Sequence, residues 1–160
     1  MVEVKIGSEL ASLLRKALAI EEVFESASQM NGYVDLRKDD LRDLILDLAS
    51  ESAEHRRLVE TLISMIGDDE RSGADRSDGG ALDFQDKNEV EMLMELAKYA
   101  KLAYDTYLKI REALYRSDLR LFMKEQDIPF FVTSLERLIA EKAEQSDRVA
   151  KLVGRAQMTR

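Results

Sequence analysis

His55 is the single histidine among 160 residues, and Glu51 precedes it by one helical turn. Four residues of α-helix bring a side chain back to within about 40° of its starting direction, so the two groups can reach one point. An imidazole beside carboxylates can ligate a divalent metal, and it can equally form a hydrogen-bonded core pair. Glu21 and Glu141 interrupt the apolar seams of two other expected helices. A buried carboxylate costs free energy unless a partner compensates it, and a metal cluster is one such partner. Glu21 could pair instead with Lys101 or an arginine, while Lys142 and Gln145 would give Glu141 a polar network.

Four helices must position these groups. The first is expected from Ser8 to Met30, with Leu10, Leu14, Ala17, Phe24 and Ala27 at three- and four-residue spacing and Asn31-Gly32 as its stop. After a short loop, Tyr33 to Lys38, the second starts at Asp39 or Asp40 and runs to Ile66. Its seam reads Leu41, Leu44, Leu48, Glu51, His55, Leu58, Leu62 and Met65. The third is expected from Glu89 to Tyr115, along Leu93, Ala97, Ala100, Tyr104, Tyr107 and Leu114, with Ile110 beside them. A short extra helix is expected within Ser117 to Gln126. The fourth starts at Asp127-Ile128-Pro129 and runs to Gln157.

Residues 67–88 differ in character. They hold four of the seven glycines, many acids and no helical period, so they read as a solvated crossover. Their 22 residues can span roughly 70 Å when extended, more than the 35–40 Å length of a helix pair. The third helix therefore need not run antiparallel to the second. The expected architecture is all-α, a single domain over residues 1–160, with two helical hairpins joined by one long connection. The hairpins also align with each other: His55 on Gln145 places Glu51 on Glu141 and Leu48 on Leu138, and Glu21 falls on Tyr104.

Composition excludes several function classes. The net charge of −8 works against nucleic-acid binding. The absence of cysteine removes disulfides, thiolate zinc sites and iron–sulfur clusters. No apolar run has the length of a membrane span and no signal peptide is visible, so the cytoplasm is the default location. Nucleophile elbows, phosphate loops and dinucleotide fingerprints are missing, and no catalytic residue is assigned.

Several segments carry a resemblance. KALAIEEVFESA (16–27), LASESAEHRRLVETL (48–62), LAYDTYLKI (102–110) and LERLIAEKAEQSDRVAKL (135–152) resemble the four helix motifs of the ferritin-like superfamily, closest to the rubrerythrin-type branch without its rubredoxin domain. The resemblance implies an up-down four-helix bundle with a long crossover between helices 2 and 3. It also implies a central metal site fed by one Glu from each of two helices and a Glu-x-x-His from each of the others. On this pattern Glu21 matches the first-helix Glu and His55 the second-helix His. Ser52 stands three residues before His55, so Glu51 is the nearest carboxylate. Tyr104 stands at the third-helix position, with Asp105 next to it, and Gln145 at the fourth-helix His, with Glu141 repeating the spacing of Glu51.

Two functions follow as expectations. In the first, Glu21, Glu51, His55 and Glu141 hold one or two iron or manganese ions for peroxide, oxygen or iron handling, with an external electron donor. In the second, the bundle is metal-free, needs no cofactor, and serves as an assembly or interaction protein. A homodimer is expected in both, since Ile45, Val59, Ile63, Val90 and Met94 lie beyond the chosen seams.

Overall fold

The computed structural model describes residues 2–27, 39–67 and 87–158. These form four helices packed against one another: α1 (Val2–Glu25), α2 (Asp39–Met65), α3 (Glu89–Tyr115) and α4 (Ile128–Met158). The expected all-helical class is what the described residues show. The end of α1 expected at Met30, its Asn31-Gly32 stop and nearly all of the 67–88 crossover lie outside the described residues.

Local chemistry accounts for the helix starts. Asp39 and Asp40 place two carboxylates in the first turn of α2, against the positive end of its dipole. Asn88 caps α3, accepting from the Glu91 backbone while the Glu91 side chain returns to the Asn88 amide. Pro129 lies in the first turn of α4, where a missing N–H removes no intrahelical bond. Two short 3-10 turns, Leu119–Leu121 and Glu125–Asp127, replace the single extra helix expected between Ser117 and Gln126. The Asp118 side chain accepts from the Arg120 backbone and opens the first of them.

The packing is unequal around the bundle. α1 lies closely against α2, α3 closely against α4, and α1 against α3, whereas α2 and α4 meet less closely. Across that looser seam the helices are joined largely by polar side chains, among them Glu51–Arg148 at 2.5 Å and Glu54–Arg137 at 3.9 Å. At one end, the Gly67 amide donates to the Phe122 carbonyl at 2.9 Å, tying the exit of α2 to the α3–α4 connection. One core runs through the bundle, with Phe24, Tyr107 and Phe131 among its largest fully buried side chains.

The inward seams differ from those expected in α2 and α3. α2 faces the core with Leu41, Leu44, Ile45, Leu48, Ser52, His55, Val59, Leu62 and Ile63, and Ile66 continues the line just past its end. Glu51, Leu58 and Met65 stand beside this line. Ile45, Val59 and Ile63, expected to cover a partner, are core residues; Val90 is half-buried and Met94 exposed. The reason is geometric. An apolar stripe wider than 100° contains two alternative three–four spacings, and neighbouring helices select which one points inward. In α3 the buried line passes through Leu96, Ala100, Ala103, Tyr107 and Ile110, leaving Tyr104 half-buried. No helix of the described residues is long and apolar enough to cross a membrane.

Candidate functional site

Each helix contributes polar groups to one level of the core. α1 supplies Glu21, α2 supplies Ser52 and His55, α3 supplies Tyr107, and α4 supplies Lys142 and Gln145, all buried. Glu21, Ser52, Lys142 and Gln145 are fully inaccessible and His55 is 2% exposed. The aligned hairpins are visible here: Ser52 matches Lys142 and His55 matches Gln145. Both pairs are buried, with Glu51 and Glu141 half-buried at matching flanks. Between α1 and α3, it is Tyr107 and not Tyr104 that reaches Glu21.

Lys142 holds the centre. Its ammonium donates to Glu21 Oε2 at 2.8 Å, to Gln145 Oε1 at 2.8 Å and to Ser52 Oγ at 3.4 Å. Three N–H groups thus meet three oxygens, which is the full donor capacity of an ammonium. The ammonium also lies 4.9 Å from the centroid of the Phe24 ring, a cation–π distance. The Tyr107 hydroxyl donates to Glu21 Oε1 at 2.9 Å, so both oxygens of that carboxylate are used. The cation that pairs with Glu21 is Lys142 and not Lys101 or an arginine; Lys101 is exposed.

His55 bridges this centre to the edge. Its Nε2 lies 2.6 Å from Glu141 Oε2, and Glu141 Oε1 accepts from Arg137 at 3.0 Å. Its Nδ1 is 3.6 Å from Glu21 Oε2 and has no hydrogen-bond partner. Glu51 does not join His55. Its carboxylate accepts from Arg148 at 2.5 and 2.7 Å and from Gln145 at 3.5 Å. Of the four expected metal ligands, the fold therefore brings Glu21, His55 and Glu141 together in a chain, with His55 between the two acids, and turns Glu51 toward the α2–α4 seam.

The electrostatics follow from burial and pairing. Burial pushes the Glu21 carboxyl up, but the Lys142 charge and His55 outweigh it, and Glu21 titrates below the ordinary glutamate range. Burial pulls the Lys142 ammonium below its ordinary value, with Glu21 opposing the shift. Burial and the neighbouring Glu21 charge push the Tyr107 phenol well above its ordinary value, so it stays a donor. Burial raises Glu141, while hydrogen bonds from Arg137 and His55 bring it below the usual range.

Iron or manganese does not fit this arrangement. A metal at the centre needs free lone pairs, yet the Glu21 oxygens face Lys142 and Tyr107, and a fixed ammonium repels a second cation. Among the described residues, no group of three or more His, Asp or Glu could hold a metal ion. Lys142, Ser52 and Tyr107 were not assigned to the site from sequence. The signal was there for Lys142, because Phe131, Leu135, Leu138, Lys142, Gln145 and Val149 follow an unbroken four–three spacing. Searches against protein-family models, curated proteins and solved structures returned no match.

Proposed function

We propose that the chain is a metal-free, ferritin-like bundle that acts as an assembly or interaction protein. The observation that carries this reading is the Lys142 ammonium at the bundle centre, buried and donating to Glu21, Gln145 and Ser52. The acid–base groups there are spent on one another: Glu21 on Lys142 and Tyr107, Glu141 on His55 and Arg137. A network of this kind can fix helix register at some cost in stability, and it leaves surfaces as the means of action.

The up-down topology with a crossover is part of the same proposal. It is supported by ion pairs in which α4 numbers fall as α2 numbers rise: Asp40 with Arg155, Glu51 with Arg148, Glu54 with Arg137. On α1 and α3, Glu21 meets Tyr107 while Glu9 meets Arg116, again in opposite senses. With α3 and α4 joined by a short connection, α2 and α3 then run the same way.

Elemental analysis of the untagged protein, before and after loading with Fe(II) and Mn(II), tests the reading. The expected result is no metal above background and a melting temperature that chelators leave unchanged. Near-stoichiometric iron or manganese, lost in His55→Ala, would reject it and restore the iron- or peroxide-handling alternative with its external electron donor.

A further inference from the structure

The seam between α2 and α4 is built from charge. On α2, Asp40, Asp43, Asp47, Glu51 and Glu54 follow a three–four spacing and share one face. On α4, Arg137, Glu141, Glu144, Arg148, Lys151 and Arg155 do the same. An acidic stripe therefore meets a mainly basic one. Asp40–Arg155 at 4.0 Å, Asp47–Arg148 at 3.9 Å and Glu54–Arg137 at 3.9 Å are long, while Glu51–Arg148 at 2.5 Å is short. Glu51 and Arg148 are the least exposed of these side chains, at 36% and 30%. Toward the end where α2 begins, the stripes stand apart around a groove of about 270 Å³ lined also by Leu44 and Leu152. Further in, α2 still reaches α4 through polar groups, Ser52 with Lys142 at 3.4 Å and His55 with Glu141 at 2.6 Å.

These features set the cost of parting the two helices. Exposed ion pairs contribute little and are screened by salt. Polar side chains that part regain hydrogen bonds from water, whereas parted leucines expose hydrocarbon. The α1–α2, α3–α4 and α1–α3 seams are closer, and the bonds from Lys142 and Tyr107 to Glu21 run to α1 and not to α2. We propose that the bundle opens reversibly along the α2–α4 seam while it stays folded. The α1–α2 pair turns about the α1–α3 contact, Glu21 keeps Lys142 and Tyr107, and water reaches Ser52 and His55. Ionic strength sets the opening, because screening weakens the attraction between the stripes. The movement goes beyond the metal-free reading, whose test by elemental analysis is separate.

The chain has no cysteine, so one introduced thiol reports on one place. Ser52→Cys puts it on the α2 side of the seam and Ala103→Cys on α3, and both positions are fully inaccessible. Labelling each folded protein with an aromatic disulfide reagent at low urea separates local opening from unfolding, since the urea slope grows with the surface exposed. Ser52→Cys is expected to react with less than about half the slope of Ala103→Cys, and faster as salt rises. Glu51→Gln removes a contact broken on opening and is expected to speed Ser52→Cys labelling by up to about fivefold. Tyr107→Phe removes one kept on opening; it is expected to leave Ser52→Cys labelling unchanged and to speed Ala103→Cys labelling about fivefold or more. If Ser52→Cys does not fold, Ser134→Cys repeats the measurement without touching the Lys142 contact, since Ser134 is buried three residues before Arg137 on the same face of α4. Equal urea slopes at the two sites, a seam thiol that Tyr107→Phe speeds as much as it speeds Ala103→Cys, or labelling of the seam thiol that does not rise with salt would overturn the inference.

Discussion

Lys142→Met leaves the Glu21 carboxylate buried without its cation, and the cost can be worked from the structure. At 2.8 Å the gross attraction is about 6 kcal/mol for an effective dielectric near 20. Both groups are fully inaccessible, so solvent screening does not reduce it. Much of that attraction offsets the desolvation of the two ions, and breaking a buried pair from one side typically costs about 3–5 kcal/mol. The cost has a ceiling. An uncompensated Glu21 can take up a proton, which at pH 7 costs about 4 kcal/mol for an ordinary glutamate. Lys142→Met is therefore expected to lose about 3–4 kcal/mol at pH 7, or roughly 10 °C of melting temperature. Glu21→Gln leaves the ammonium unpaired and is expected to lose a similar amount. The double variant removes both charges, keeps an acceptor for Tyr107 and sets a thioether near Phe24; it is expected within about 1 kcal/mol of the native protein.

The pH dependence gives the prediction a sign. In the native protein Glu21 titrates below its unfolded value, so its contribution is present above the unfolded pKa and is lost as pH falls through the folded one. In Lys142→Met, burial raises Glu21 instead. The folded state then holds its proton where the unfolded state has lost it, and stability falls as pH rises above the ordinary glutamate pKa. Urea unfolding followed by circular dichroism between pH 4 and 8 measures both, with a constant slope confirming the same two-state transition. Single substitutions that each cost under about 1 kcal/mol, or a double variant that costs their sum, would refute the reasoning.

Three other outcomes are expected. Tyr107→Phe removes a buried hydroxyl that donates to Glu21 Oε1, costing about 1–3 kcal/mol in the same urea assay; alkaline absorption titration of the native protein should show a tyrosine that ionises only on unfolding and that is missing in Tyr107→Phe. Glu51→Gln weakens a partly exposed pair with Arg148, so a loss of about 1 kcal/mol or less is expected, against the large loss a central ligand position would give. The homodimer expected from sequence retains only Val90 and Met94 of its five apolar residues outside the core, joined on the surface by Leu46, Leu121 and Phe130; sedimentation equilibrium showing only monomer at high concentration would remove it.

The inward line of α2 shows where sequence reading stops. Leu44 and Ile45, Glu51 and Ser52, Leu58 and Val59, and Met65 and Ile66 are adjacent pairs, and each offers a three–four spacing with Leu41, Leu48, His55 and Leu62. Choosing the first member of each pair put Glu51 beside His55 and left Ile45 and Val59 for a partner. The structure buries Leu44 as well as Ile45, but takes the second member of the other pairs, burying Ser52 and sending Glu51 to Arg148. α3 shows the same ambiguity at Leu96 and Ala97 and at Ala103 and Tyr104, where the first member of each pair is the buried one. Single-helix periodicity cannot resolve it, because the selection depends on where two neighbouring helices lie around the axis.

Sequence by itself determined the four helical segments, most of their described ends, and the fact that Glu21, His55 and Glu141 interrupt apolar seams. These follow from local periodicity, capping and Pro and Gly placement, which act within a few residues. Only the tertiary structure decided that Lys142, 121 positions after Glu21, supplies its counter-charge, and that Tyr107 and Ser52 complete the centre. A buried charge needs compensation, but which residue provides it is fixed by the packing of separate helices and not by anything local to either one.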